Sequence, residues 1–216
     1  MVHNLSTENH IANRYVAELR DVKKQRDSLR FRHNLSRLGM CMGFELSKHL
    51  RYQLHAIETP LGTAVCRLPD QPLVLATILR AGLPMHQGLL DVFDDAESAF
   101  ISAYRKNHKS GGFEIKLEYI SCPGLQDKVL VLADPMLATG ASIITATKAL
   151  LEYGTPAKIH ILTAIASTLG LEQVLREFPD ADVWMGGLDE ELTAKSYIVP
   201  GLGDAGDLAF GEKLQE

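Results

Sequence analysis

Near the middle of the chain an acid and a small hydroxyl-rich turn lie close together: Asp134, then Thr139-Gly140-Ala141-Ser142. Before them runs Val129-Leu130-Val131-Leu132, a continuous apolar stretch suited to a strand buried on both faces. After them Ile143, Thr147, Leu150 and Leu151 recur at helical spacing, and Gly154 is placed to end that helix. A strand feeding a helix through such a turn gathers backbone N–H groups at the positive end of the helix, which is a site for a phosphate. Asp134 falls at the strand's carboxyl end, where open α/β sheets bind ligands, and it can accept hydrogen bonds from sugar hydroxyls. Acid and cradle together suggest a sugar phosphate. Strand–turn–helix joints also occur throughout α/β proteins without binding anything, so the joint alone leaves both readings open. No G-x-x-x-x-G-K-[ST] pattern occurs, which argues against a nucleotide P-loop.

Two further stretches could do chemistry. Leu73 to Leu79, after Pro72, reads as a second doubly buried strand; Arg80-Ala81-Gly82 follows, and a helix begins near Pro84. An arginine at a strand's end followed by small residues lets guanidinium and backbone close on one anion. A surface arginine in a loop is the equal alternative. Farther on, Gly201-Leu202-Gly203-Asp204-Ala205-Gly206 satisfies G-x-G-x-x-G, but only ten residues follow Gly206. That is too few for the rest of a dinucleotide-binding unit, so the match fails on context. A segment with so few side chains instead lets main-chain N–H and C=O groups approach a flat ligand edge.

The elements that must position these residues alternate. Lys158–Ala166 and Ala181–Met185 read as strands, Leu169–Phe178 as a helix stopped by Pro179, and 34–50 as an amphipathic helix through Leu35, Leu38, Met42, Leu46 and Leu50. Such alternation predicts an α/β fold with a doubly wound, largely parallel sheet flanked by helices. Ser98–Tyr104 and the alternating run Phe113, Ile115, Leu117, Tyr119 predict an antiparallel flap hairpin with a mobile, basic tip at 106–112. Residues 1–12 are expected to be a loose arm, and the charged run from Val16 to Arg32 a solvated helix face. With 216 residues and a net charge of −5, the chain suits one domain and offers no general electrostatic case for nucleic acid or an anionic membrane. Three scattered cysteines argue against a disulfide framework, and no signal segment or membrane span is visible, so a cytoplasmic protein is expected. The histidines show no zinc-binding pattern.

Ala133-Asp134-Pro135-Met136-Leu137-Ala138-Thr139-Gly140 resembles the phosphoribosyl-diphosphate (PRPP) loop of the type I phosphoribosyltransferases, in the DPMLATG wording of their uracil branch. Ile78 to Leu83 and Tyr197 to Asp207 match two more motifs of that family in order, and the likeness runs from about Arg30 to the end. The resemblance implies the type I phosphoribosyltransferase fold in a single domain over 1–216, with an N-terminal helical arm at 1–33, the flap at 98–120 and a uracil-binding loop at 196–211. It implies pyrimidine salvage: a glycosyltransferase moving the 5-phosphoribosyl group from PRPP to uracil, giving UMP and diphosphate. PRPP would lie on Arg80, Arg105, Asp134, Pro135, Met136, Leu137, Ala138, Thr139, Gly140, Ala141, Ser142 and Asp204. Uracil would lie on Ile198, Gly203, Asp204 and Ala205. The catalytic work would fall to Arg80, Arg105, Asp134 and Asp204. Mg²⁺ would be held mainly by PRPP oxygens rather than by a protein site. A homodimer or higher homo-oligomer is implied, with GTP as a candidate allosteric activator.

Uracil presents a carbonyl, an N–H and a carbonyl along one edge, a pattern main-chain groups can pair with. Cytosine's amino group would face a donor there. Two positions depart from the broader family. Ala133 stands where many members carry a second acid, as in the uracil branch, and Ala141 replaces a frequent second glycine, which requires an ordinary negative φ. The alternatives are a transferase for another nucleobase and a PRPP-binding regulator without turnover.

Overall fold

A computed structural model describes residues 1–107 and 113–213, with the backbone alone over 104–107 and 113–116. The first residues are not a loose arm. Val2–Asn4 forms β1, an edge strand pairing in parallel with Val183–Met185. The charged run folds differently from a single solvated face. Helix α1 covers Ala12–Arg20, a turn follows, and α2 covers Ser28–Ser47, six residues earlier than its apolar spacing marks. The earlier start comes from Asp27, whose side chain accepts from the Arg30 N–H at 3.0 Å and caps the helix. Glu18 is only 5% exposed. It takes both arms of the Arg30 fork and the Asn34 amide, each at 2.9 Å. Those hydrogen bonds hold its carboxyl down at about 2.

Next come β2 (Tyr52–Thr59) and β3 (Gly62–Pro69), a separate antiparallel hairpin to which no sequence pattern had drawn attention. Its alternation is poor because it is exposed on both faces. Then follow β4 (Leu73–Leu79), α3 (Leu83–Leu90) with Pro84 in its first turn, and the antiparallel pair β5 (Glu97–Asn107) and β6 (Phe113–Ser121). The predicted flap is therefore a hairpin; Lys106 and Asn107 of the expected 106–112 tip continue β5, and 108–112 lie outside the described residues. The rest of the core is β7 (Val129–Ala133), β8 (Met136–Leu137), α4 (Ala141–Leu150), β9 (Lys158–Ser167), α5 (Thr168–Glu177) and β10 (Asp182–Asp189). Short strands β11 (Glu191–Leu192) and β12 (Ile198–Val199) pair with each other, and α6 (Ala205–Phe210) follows.

The main sheet runs β1-β10-β9-β7-β4-β5-β6, with β8 also on β9, and every pairing but β5–β6 is parallel. Strand β7 shows why its sequence is apolar without alternation. Val129, Val131 and Ala133 face a core shared with α1, α2, α3 and α6, while Leu130 and Leu132 face one shared with α4 and α5. Burying each such leucine contributes about 1.5–3 kcal/mol. Helices on both faces make the sheet doubly wound. Among the described residues no helix is long and apolar enough to cross a membrane.

Candidate functional site

Strands β4 and β7 are parallel neighbours in register, Thr77 beside Ala133, so their carboxyl ends open at the same edge. The loop after β4 can fold onto the end of β7 only because residue 82 is glycine. A Cβ there would stand 2.2 Å from Thr77 Oγ1 and 2.6 Å from the Ala133 carbonyl oxygen. Asp134 therefore emerges beside Arg80-Ala81. It is 8% exposed and lines the cleft. Its Oδ1 lies 3.4 Å from the Met136 N–H.

The turn after β8 is built from below. Gly140, at φ +82°, takes the left-handed conformation that L side chains disfavour and hands the chain into α4. Ala141 opens that helix with negative φ, the condition its methyl requires. Ser167 Oγ donates to the Ala138 carbonyl and accepts from the Gly170 N–H at 2.9 Å. Residues 136–143 enclose a shallow cup of about 20 Å³ whose Met136, Ala138 and Ser142 also line the large cleft.

That cleft holds about 930 Å³. Arg80, Asp134 and Ser142 line it together with Ile198, Gly203, Asp204 and Ala205. The C-terminal segment is shaped by its glycines: Gly201 lies at φ +55° and Gly203 at +95°. Asp204 then caps α6 by accepting from the Asp207 N–H at 3.0 Å. Arg80 ties the loop after β4 to the C-terminal segment, donating to Asp207 Oδ1 at 3.1 Å and to the Gly211 carbonyl at 3.3 Å.

Of the expected residues, Arg80, Asp134, Met136, Ala138, Ser142, Ile198, Gly203, Asp204 and Ala205 share the cleft, and Thr139, Gly140 and Ala141 line the adjoining cup. Leu137 is fully buried and offers a ligand no side chain. Pro135 lines neither space; its carbonyl accepts from the N–H groups of Ala164 and Ile165. Arg105 lies in β5 opposite Ile115, and its side chain is outside the described residues. Lys195, Tyr197, Asp207 and Lys213 also line the cleft and had no role from sequence. No spacing flags them: Lys195 sits in the β11–β12 turn beside Ser196, itself at φ +61°. The buried histidines His86 and His160, both pushed down to about 4 by burial, lie away from the cleft in the packing.

With this geometry in view, the comparisons with known proteins converge. Residues 6–212 match the family model described as uracil phosphoribosyltransferase. The chain is 50% identical over 212 residues to a Porphyromonas gingivalis protein named uracil phosphoribosyltransferase, with 98% of each chain covered. A Thermococcus gammatolerans protein of the same name is 40% identical, over 93% of this chain and 89% of that one. Among solved structures, the AQ2163 protein from Aquifex aeolicus superposes with a TM-score of 0.89 at 29% identity, covering both chains fully.

Proposed function

The chain belongs to the uracil phosphoribosyltransferase family, and we infer that it transfers the 5-phosphoribosyl group of PRPP to uracil, giving UMP and diphosphate. The single observation that carries this reading is one cleft shared by the 134–142 segment, Arg80 and the side-chain-poor 198–206 segment. In it the phosphate end of a sugar donor and the edge of a flat base can lie side by side.

In this reading the 5′-phosphate sits on the N–H groups of 139–142 at the start of α4, where the helix dipole favours an anion. Asp134 accepts from the ribose hydroxyls and so fixes the sugar. Uracil lies against Ile198 and Gly203–Ala205, its polar edge paired by main-chain groups. Uracil N1 bonds to the anomeric carbon as the carbon–oxygen bond to diphosphate breaks, and the N1 proton is lost. Positive charge grows on the sugar and negative charge on the departing diphosphate, which Arg80 and Arg105 offset. Arg80 is 40% exposed, so its pairing with Asp207 is weak and its guanidinium is available to an arriving anion. The 98–120 hairpin is the element to close over this step, since water would capture the sugar cation.

The donor set also suits Mg²⁺ carried in by PRPP. Among the described residues no group of three or more metal-ligating side chains gathers, and the cleft offers the separate carboxylates of Asp134, Asp204 and Asp207. Magnesium keeps waters and substrate phosphate oxygens as ligands, and when bound it neutralises diphosphate charge. Leu54, Leu61 and Val65 stand exposed on the β2–β3 hairpin, which supports self-association into a homodimer or larger assembly. We infer a cytoplasmic location, as this reading makes the chain an enzyme that salvages free bases.

The test is UMP formation by pure protein with Mg²⁺, PRPP and each of uracil, cytosine, hypoxanthine and orotate. Turnover with uracil alone is expected. Turnover with another base, or PRPP binding without product, refutes the assignment. The same assay with GTP added reads activation.

A further inference from the structure

The basic N-terminal stretch has no part in the chemistry above, yet two of its arginines reach the C-terminal segment. Arg20, at the end of α1, lays its fork on Asp189, at the end of β10, with both N–H···O distances 2.7 Å. The same guanidinium donates to the Gly201 carbonyl at 2.9 Å, and Asp189 Oδ2 accepts from the Gly201 N–H at 2.9 Å. Both polar groups of residue 201 are thus held by one ion pair whose carboxylate is 6% exposed and whose guanidinium is 24% exposed. Gly201 is where the chain leaves the Ile198 region at φ +55°, and a Cβ there would stand 2.1 Å from the Ile198 carbonyl oxygen. Arg32 does the like at the far end, donating to the Ala209 carbonyl at 2.6 Å with its guanidinium 5.8 Å from the Phe210 ring centre.

We propose that Arg20 and Asp189 are positioning residues for the base: by gripping the Gly201 main chain they set the pitch of the 198–205 segment, and through it recognition of the uracil edge. This rests on the uracil-transfer reading above. Neither side chain lines the cleft, so they act through Gly201. Main-chain recognition needs such an anchor, because a glycine-rich segment has no side chains of its own to hold its conformation. A bidentate pair with a buried carboxylate is a stiffer anchor than loop packing.

Steady-state kinetics on the whole chain test this, varying uracil at saturating PRPP and then the converse. The variants are Arg20→Lys, which keeps the charge but loses the fork, and Arg20→Met with Asp189→Leu, which leaves no unpaired buried charge. We expect the uracil KM to rise about tenfold to a hundredfold and the preference for uracil over cytosine to narrow, while the PRPP KM stays within about threefold because Asp204, the residue of this segment expected at both substrates, keeps its own hold as the cap of α6. An unchanged uracil KM in both variants, or uracil and PRPP KM values rising together, overturns the role. If the double variant does not fold, Arg20→Lys decides on the same readout. A wild type that makes no UMP refutes the transfer reaction itself and this role with it, whereas an active wild type with indifferent variants refutes the positioning role alone.

Discussion

Asp134 is a carboxylate lining the cleft, 8% exposed, just ahead of the 136–143 cup. Its charge matters more than its shape. Asp134→Asn keeps the volume and loses about 1.5–3 kcal/mol of charged hydrogen bonding to the sugar. We expect kcat/KM to fall about tenfold to a hundredfold, measured by UMP formation. Unchanged kinetics would remove Asp134 from the site. This residue was legible because an acid after an apolar run is a local pattern. Lys195 and Lys213 were not, since a lone lysine in a turn looks the same wherever the turn points.

At the scale of elements, the 136–143 cup depends on α5 as much as on α4. Ser167 and Gly170 press on the Ala138 carbonyl from beneath, and a Cβ at residue 170 would stand 2.3 Å from that oxygen. Gly170→Ala forces the loop upward, an overpacking cost of about 1–3 kcal/mol. We expect a raised PRPP KM, a nearly constant uracil KM and a lowered Tm. Equal effects on both substrates would show that the loop is not the PRPP half of the cleft. The helix itself was readable from its period, but its duty was not, because residues 167 and 138 are 29 apart in sequence.

Across the whole molecule, buried histidines set the response to acid. His86 and His160 are almost fully buried, and burial lowers both from 6.5 to about 4. Between those values the unfolded chain binds protons that the folded chain refuses, so stability falls as the pH drops through this window. Each histidine adds a slope of up to about 1.4 kcal/mol per pH unit. Glu18, held at about 2 against an ordinary 4.5, adds a further loss as pH falls below that ordinary value. Urea midpoints should therefore drop from pH 6.5 toward pH 4, and His86→Gln should flatten the upper part of the curve. A midpoint constant from pH 7 to 4.5 would contradict this.

The amino-acid order by itself determined the alternation of strands and helices, the two-sided burial of β7, the strand-end acid and the turn that follows it. These are local: each depends on neighbours within one or two turns of chain, and hydrophobic period and glycine placement record them directly. It was the tertiary structure that made β1 an edge strand rather than a free arm, folded Glu18 under Arg30, and set Arg20 against Asp189 and Gly201. Such pairs join charges 12 to 169 residues apart, and a charge carries no mark of its partner until the chain has closed. The cleft is likewise a product of closure, because β4 and β7 meet in the sheet before their loops and the C-terminal segment can face one another.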